Sequence, residues 1–292
     1  MIPLIDYDKP SSLRSFLEER GLGMLKKFGQ NFLINSDARR RLAEALDAEA
    51  GAVVWEVGPG LGAMTGALLD KGLRVRAFEI DRGFIAALQE LFPDRADLSV
   101  ISGDALKTWP SQAKLEKPDY FFGNLPYNIA AVLIGDLIQG DCLFKRSVVT
   151  VQKEVARRMV ASPGSEDYSS FSVLCASKYK MTSLMVLKGA SFYPEPHVDS
   201  QAVRMELRED PESRSYSPLF QPLVRALFAS RRKTIRNNLQ AFIGTHFPSG
   251  GQQAQDTALA AISECGLKEN ERAERLGVED FARLARAVEE SL

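Results

Sequence analysis

The stretch Gly123-Asn124-Leu125-Pro126-Tyr127 carries the residues best suited to gripping a planar amine. It closes the apolar run Tyr120-Phe121-Phe122, which reads as a strand running into a rigid polar turn. Pro126 fixes its own φ and pushes Leu125 towards an extended conformation, so the local carbonyls and the Asn124 carboxamide are held in place. Tyr127 adds a flat ring beside those acceptors. Acceptors in the plane of an amine and a ring against its face are what such a group requires. Taken alone, the same residues also suit an ordinary strand-end turn.

A second constellation precedes it. Gly58-Pro59-Gly60-x-Gly62 follows the apolar strand Val53–Val57 and precedes a helix, the context that a cofactor turn needs. Glycines permit the tight turn and let a ligand approach the backbone. Glu79 ends the next strand about 20 residues on, where a carboxylate accepts ribose hydroxyls. Asp104 follows the third strand and can accept from an adenine amino group. Each carboxylate alone reads as a solvated strand end, and the glycine turn alone suits NAD equally well. Together with an Asn-x-Pro-aromatic turn on the fourth strand they favour S-adenosylmethionine, because a hydride enzyme has no use for a turn that grips an amine.

These residues need a parallel sheet to bring them to one edge. Strands are expected at Val53–Val57, Val75–Ile80, Leu98–Ile101, Tyr120–Phe122 and Ser147–Val151, with helices at Met64–Lys71, Phe84–Leu91, Ala130–Ile138 and Lys153–Val160. Alternation with short links implies a parallel, doubly wound α/β sheet. Later strands are expected at Ser183–Val186 and Ala202–Leu207. Upstream, Leu13, Phe16 and Leu17 have the spacing of a short amphipathic helix. Lys26 to Leu33 reads as a loop that either clamps a ligand or is simply solvated, and Asp37–Leu46 reads as a helix. After Pro211 the character changes: no acidic residue occurs from Ser213 to Gln255, whereas Arg225, Arg231, Arg232, Lys233 and Arg236 do. Helical spacing at Leu223, Leu227 and Phe228 suggests a helix with a basic continuation, and Ala258–Cys265 and Val278–Val288 are further helices. The division expected is an N-terminal extension (1–23), a sheet domain (24–210) and a small all-helical domain (211–292).

Composition narrows the class. A chain of 292 residues, 45% apolar and 26% charged, is an ordinary globular protein, and 37 basic against 38 acidic residues leave no net signal for a polyanion. Three scattered cysteines and two histidines speak against a metal site and suit a reducing compartment. No apolar run reaches the roughly 18 residues of a membrane span. Asp6, Asp8, Glu18 and Glu19 rule against a signal or transit peptide, so a cytoplasmic location is expected.

The motifs together resemble the small-subunit (16S-type) ribosomal RNA adenine-N6,N6-dimethyltransferase family. The resemblance runs through Lys27–Leu33, Glu56–Gly60, Glu79-Ile80-Asp81, Gly103-Asp104-Ala105, Gly123–Asn128 and Gln152–Arg158. It continues in Phe192-x-Pro194-x-Pro196-x-Val198-Asp199-Ser200 and Arg231-Arg232-Lys233-Thr234-x-Arg236-Asn237-x-Leu239. It implies a Rossmann-like class I methyltransferase sheet with a small all-helical C-terminal domain. It implies that Asn31, Leu33, Gly58, Gly60, Glu79, Ile80, Asp104, Ala105 and Asn124 contact S-adenosylmethionine. Asn124, Leu125 and Pro126 would face the target amine, with Tyr127 and Phe192 stacking on a single-stranded or flipped adenine. Arg231, Arg232, Lys233 and Arg236 would track phosphates. The implied partner is 16S rRNA in an immature small ribosomal subunit, met by a monomer with no metal and no membrane. Two features depart from the family pattern: a longer N-terminal extension, and Ser169 where glycine is common. Two other readings stay open: an enzyme methylating adenine in large-subunit RNA, and an RNA-binding assembly factor without catalysis.

Overall fold

The β-branched and aromatic runs form the strands of a seven-stranded sheet in the computed structural model of the chain, which describes residues 5–23, 30–116, 118–210, 213, 215–247 and 251–291. The Lys26–Gly29 part of the expected loop lies outside the described residues. The sheet strands are β2 (Val53–Val57), β3 (Arg74–Glu79), β4 (Leu98–Ser102), β5 (Tyr120–Asn124), β6 (Arg146–Gln152), β7 (Tyr179–Leu187) and β9 (Ser200–Leu207). A separate two-stranded pair joins β1 (Phe32–Leu33) to β8 (Phe192–Tyr193), with Leu33 opposite Phe192.

The sheet order is β4-β3-β2-β5-β6-β9-β7, and β2 pairs in parallel with both β3 and β5. The chain therefore changes direction of winding between β2 and β5, the place where an open α/β sheet leaves a crevice beyond its strand ends. Register puts Val57 opposite Gly123, so the glycine turn after β2 and the Asn124 turn after β5 begin side by side. All five β2 residues are buried, as for a strand covered on both faces. Val54, Leu68, Phe122 and Val148 share one core cluster that ties helices to the sheet.

The sheet is not parallel throughout: β9 runs antiparallel to β6. The alternation of strand and helix lapses between β7 and β9, where only a short 3-10 turn at Gly189–Ser191 and β8 intervene. Without a crossover helix the chain cannot return to the same end of the sheet, and an antiparallel edge results. Two helices also lacked a sequence signal. Ala105–Leu115 contains Pro110 and buries only Ala105, and Ser170–Lys178 is buried on several sides, so neither shows a clean apolar stripe.

By contacts the chain forms two compact units, Met1–Ala156 with Lys180–Leu207, and Arg157–Tyr179 with Arg208–Leu292. Residues 157–179, grouped by sequence with the sheet domain, fall in the second. That unit packs helices Ser170–Lys178, Phe220–Phe228, Ile235–His246, Gly251–Glu264 and Val278–Glu290 around Leu223, Leu227, Ile235, Phe281 and Leu284. The basic stretch is not a continuation of the helix before it. The helix stops at Phe228, and Thr234 caps the next by accepting from the Asn237 amide at 3.4 Å. Ser169 sits at φ −154°, ordinary extended backbone in which glycine is not required.

Candidate active site

One cavity of about 260 Å3 lies at the carboxyl ends of β2, β3, β4 and β5. Asn31, Leu33, Gly58, Gly60, Glu79, Ile80, Asp104, Ala105 and Asn124 all line it. The fold thus gathers the whole expected cofactor set from five separate stretches of chain.

The glycine turn forms the floor. Gly58 and Gly60 have φ of +74° and +56°, conformations that side chains rarely adopt. A Cβ on Gly60 would stand 2.9 Å from the Phe32 ring, and one on Gly58 would stand 3.3 Å from the Asn124 carbonyl oxygen. A side chain at either position would be strained and would crowd Phe32 or Asn124, which also line the cavity. Glu79 is 5% exposed at its rim. Its Oε1 accepts from the Ile80 and Asp81 amides at 2.8 and 2.9 Å, and its Oε2 accepts from Gly60 at 3.2 Å. Burial raises its pKa, and the three backbone donors oppose that rise. A carboxylate offers about four lone-pair sites, so what is left for a ligand lies on Oε2. Asp104 caps Ala105–Leu115 by accepting from the Leu106 amide through Oδ1 at 3.1 Å.

The turn after β5 is braced at every residue. Asn124 donates through Nδ2 to the Asn31 carbonyl at 2.9 Å, which leaves Oδ1 as the acceptor end of a side chain on the cavity wall. The Leu125 amide donates to Thr150 at 3.0 Å, and its side chain is 2% exposed. The Pro126 carbonyl accepts from Ile129 and Ala130, and Pro126 lines the cavity. Tyr127 is half-buried beside it, its hydroxyl bonded to that of the fully buried Ser200 at 2.6 Å. Leu125 and Tyr127 flank the cavity without lining it.

Phe192 is a core residue in this structure. It is 3% exposed and shares a cluster with Leu33, Leu42 and Leu187, so its ring has no open face to offer a base. The proline-rich turn that follows it in sequence hides the fact that β8 pins it against β1.

Sequence reasoning assigned no role to Glu56, Phe32 or Asn128, which also line the cavity. An acid inside the apolar run Val53–Val57, two residues before the glycine turn, was the available signal for Glu56. It is 1% exposed and accepts from the Thr65 hydroxyl at 2.7 Å. Burial pushes its pKa up to about 7, against a partial lowering by Thr65. Between its ordinary value and 7 the folded state holds a proton that the unfolded state releases. Stability from Glu56 is thus fully present below about pH 4.5 and is lost as pH rises through 7. Glu56→Gln is expected to remove that loss, so its stability relative to wild type rises by about 3 kcal/mol between pH 4.5 and 8. Denaturant melts of both proteins at several pH values measure this. A difference that does not change with pH would mean that Glu56 does not titrate there.

The basic segment looks different in three dimensions. Arg231 pairs with Glu274, and Arg236 pairs with Glu269 at 3.2 Å. The acids come from a part of the chain that the acid-free window omits. Arg232 and Lys233 are exposed, and among the described residues neither makes an ion pair. Among the described residues no group of three or more His, Cys, Asp or Glu side chains could hold a metal ion, and no helix is long and apolar enough to cross a membrane.

The sequence pattern of the ribosomal RNA adenine dimethylases matches residues 23–289. The "Ribosomal RNA small subunit methyltransferase A" of Treponema denticola is 43% identical over 283 residues, 96% of this chain and 94% of that protein. Among solved structures, a dimethyladenosine transferase from Plasmodium falciparum superposes with a TM-score of 0.77 at 26% identity, covering 88% of this chain and 97% of that one. The 23S rRNA methyltransferase ErmE shares the fold with a TM-score of 0.63 at 21% identity, over 88% of this chain and 99% of its own. The sheet is that of a class I methyltransferase. A match reaching from the start of the cavity motifs into the last helix makes the assignment plain: this chain belongs to the ribosomal RNA adenine dimethylase family.

Proposed function

We propose that the protein transfers methyl groups from S-adenosylmethionine to N6 of two adjacent adenosines near the 3′ end of small-subunit (16S-type) ribosomal RNA, giving N6,N6-dimethyladenosine. The observation that carries this reading is the single cavity that joins the glycine turn, Glu79 and Asp104 to the acceptor end of Asn124. Glu79 accepts from a ribose hydroxyl at Oε2, and Asp104 accepts from the adenine amino group of the cofactor. Gly58 and Gly60 leave room for the chain between them, while Asn31, Leu33, Ile80 and Ala105 complete the wall.

S-adenosylmethionine supplies a methyl group on a positively charged sulfur that leaves readily. The protein's part is to position the amine. Adenine N6 is a weak nucleophile because its lone pair is delocalised into the ring. Asn124 Oδ1 and the Leu125 carbonyl accept its two N–H bonds, which localises the lone pair and aims it along the line of transfer. Pro126 keeps that carbonyl in place, and Tyr127 stacks on the base. The methylated amine is strongly acidic and sheds its proton to water, so the site needs no histidine base. An adenine within a duplex cannot reach the turn, and the base must be single-stranded or flipped. The family resemblance supports a monomer working on immature small subunits in the cytoplasm.

The test is methyl transfer to small subunits that lack the modification, followed by mass spectrometry of the RNA. Two adjacent dimethyladenosines are expected. Transfer into large-subunit RNA only, or none at all, overturns the reading.

RNA phosphates are met by Arg231, Arg232, Lys233 and Arg236, of which Arg232 and Lys233 are available without first leaving a carboxylate. Replacing these two with Ala is expected to weaken binding across RNA sequences. It should reduce the slope of log affinity against log salt by about 0.7–0.9 per residue. Replacing Arg231 and Arg236 should change the slope less. An unchanged slope in the Arg232/Lys233 variant, with circular dichroism intact, would leave the turn a solvated surface.

A further inference from the structure

Residues 5–23 come before every motif of the site, yet they are built against its walls. Ile5, Leu13, Phe16 and Leu17 are buried in one cluster with Phe32, Leu61 and Phe84. Leu61 belongs to the glycine turn, and Phe32 is the ring that lies against Gly60. The Tyr7 hydroxyl donates to the Leu61 carbonyl at 2.7 Å. Burial raises the Tyr7 pKa, so this group stays a donor at any working pH. Asp8 pairs with Arg39, whose Nη1 donates to the Leu33 carbonyl at 2.9 Å. Arg14 donates to the Tyr193 hydroxyl at 3.2 Å, and Tyr193 pairs with Phe32 in the β1–β8 ladder. Three separate links thus run from this segment to Leu61, Leu33 and the strand beside Phe32.

The turn that Tyr7 reaches is held from the sheet side by the Gly58 amide, which donates to the Phe78 carbonyl at 3.2 Å, and by the Gly60 amide on Glu79, and from the other side through the Leu61 carbonyl. Gly58, Gly60 and Gly62 all have positive φ, and glycine has the widest conformational freedom of any residue. A turn that samples other shapes binds more weakly, in proportion to the time it spends outside the competent one. A tether from outside reduces that loss. We propose that the N-terminal segment is a clamp on the cofactor cavity, with Tyr7 as the positioning residue that holds the glycine turn in its binding shape through the Leu61 carbonyl. This rests on the reading of the cavity as the S-adenosylmethionine site.

A purely structural segment would lower stability when damaged without touching cofactor affinity, so the test needs a matched control. Tyr168 supplies one: its hydroxyl donates to the Leu276 carbonyl at 2.9 Å in the helical unit, the same chemistry with no link to the cavity. S-adenosylmethionine and S-adenosylhomocysteine are titrated calorimetrically into the full-length wild type, Tyr7→Phe and Tyr168→Phe, and Tm is recorded for each. Tyr7→Phe is expected to weaken both ligands by about three- to tenfold, and Tyr168→Phe by less than about twofold at a comparable fall in Tm. In methyl-transfer assays the loss in Tyr7→Phe should fall on the cofactor KM rather than on kcat. Wild-type affinity in Tyr7→Phe, or equal weakening in both variants, overturns the clamp. Absence of binding to the wild type overturns the cofactor reading, and the clamp falls with it.

Discussion

Tyr127→Ala is expected to slow methyl transfer at least a hundredfold while leaving cofactor affinity within a few-fold of wild type. Losing the ring removes about 1–3 kcal/mol of stacking on the flipped base. Displacing the amine by even 1 Å adds a rate loss of order a hundredfold. The cofactor wall does not include Tyr127, so Glu79 and Asp104 remain in place. Tyr127→Phe tests a narrower point. It keeps the ring but breaks the 2.6 Å bond to Ser200, and a neutral bond of this kind contributes about 0.5–1.5 kcal/mol. Its loss should therefore be of order tenfold or less. Ser200→Ala should reproduce it, and the double variant should be no worse than either single one. The assay is methyl transfer to undermethylated small subunits alongside cofactor titration. A near wild-type rate in Tyr127→Ala would reduce the ring to a packing element of the turn.

Glu79→Ala carries the second large effect, on binding rather than on rate. A charged acceptor facing a ligand contributes about 1.5–3 kcal/mol, so affinity for S-adenosylmethionine should fall roughly ten- to a hundredfold. The structure adds a cost that the motif does not reveal. Glu79 also accepts from Gly60, Ile80 and Asp81, and removing it leaves those amides without their acceptor. Thermal stability should fall as well, and saturating cofactor should recover only part of the lost activity. Titration of wild type and variant with S-adenosylmethionine and with NAD measures the first effect. Tight NAD binding in the wild type with none of S-adenosylmethionine would overturn the assignment of the cavity.

The local chemistry and its order along the chain were legible in the amino-acid sequence. Val53–Val57 is apolar at every position but one, which made it a buried strand, and the glycines after it could only be a turn. Glu79, Asp104 and Asn124 then followed at the ends of successive strands, because a parallel sheet brings every such end to one edge. Short-range patterns sufficed for this, since strand, turn and crossover are decided within a few residues. Whatever depends on partners distant in sequence came only from the tertiary structure. The antiparallel placement of β9 reflects a missing crossover rather than any residue in β9. Phe192 looked free to stack until β1 closed over it. The basic segment looked unopposed until Glu269 and Glu274 folded back onto Arg236 and Arg231. Ser200 and Asn31 became partners of Tyr127 and Asn124 across 73 and 93 residues of chain. Tyr7 reached the glycine turn across 54. Such pairings leave no periodic trace, because hydrogen bonds and ion pairs depend on distance in space and the sequence records only distance along the chain.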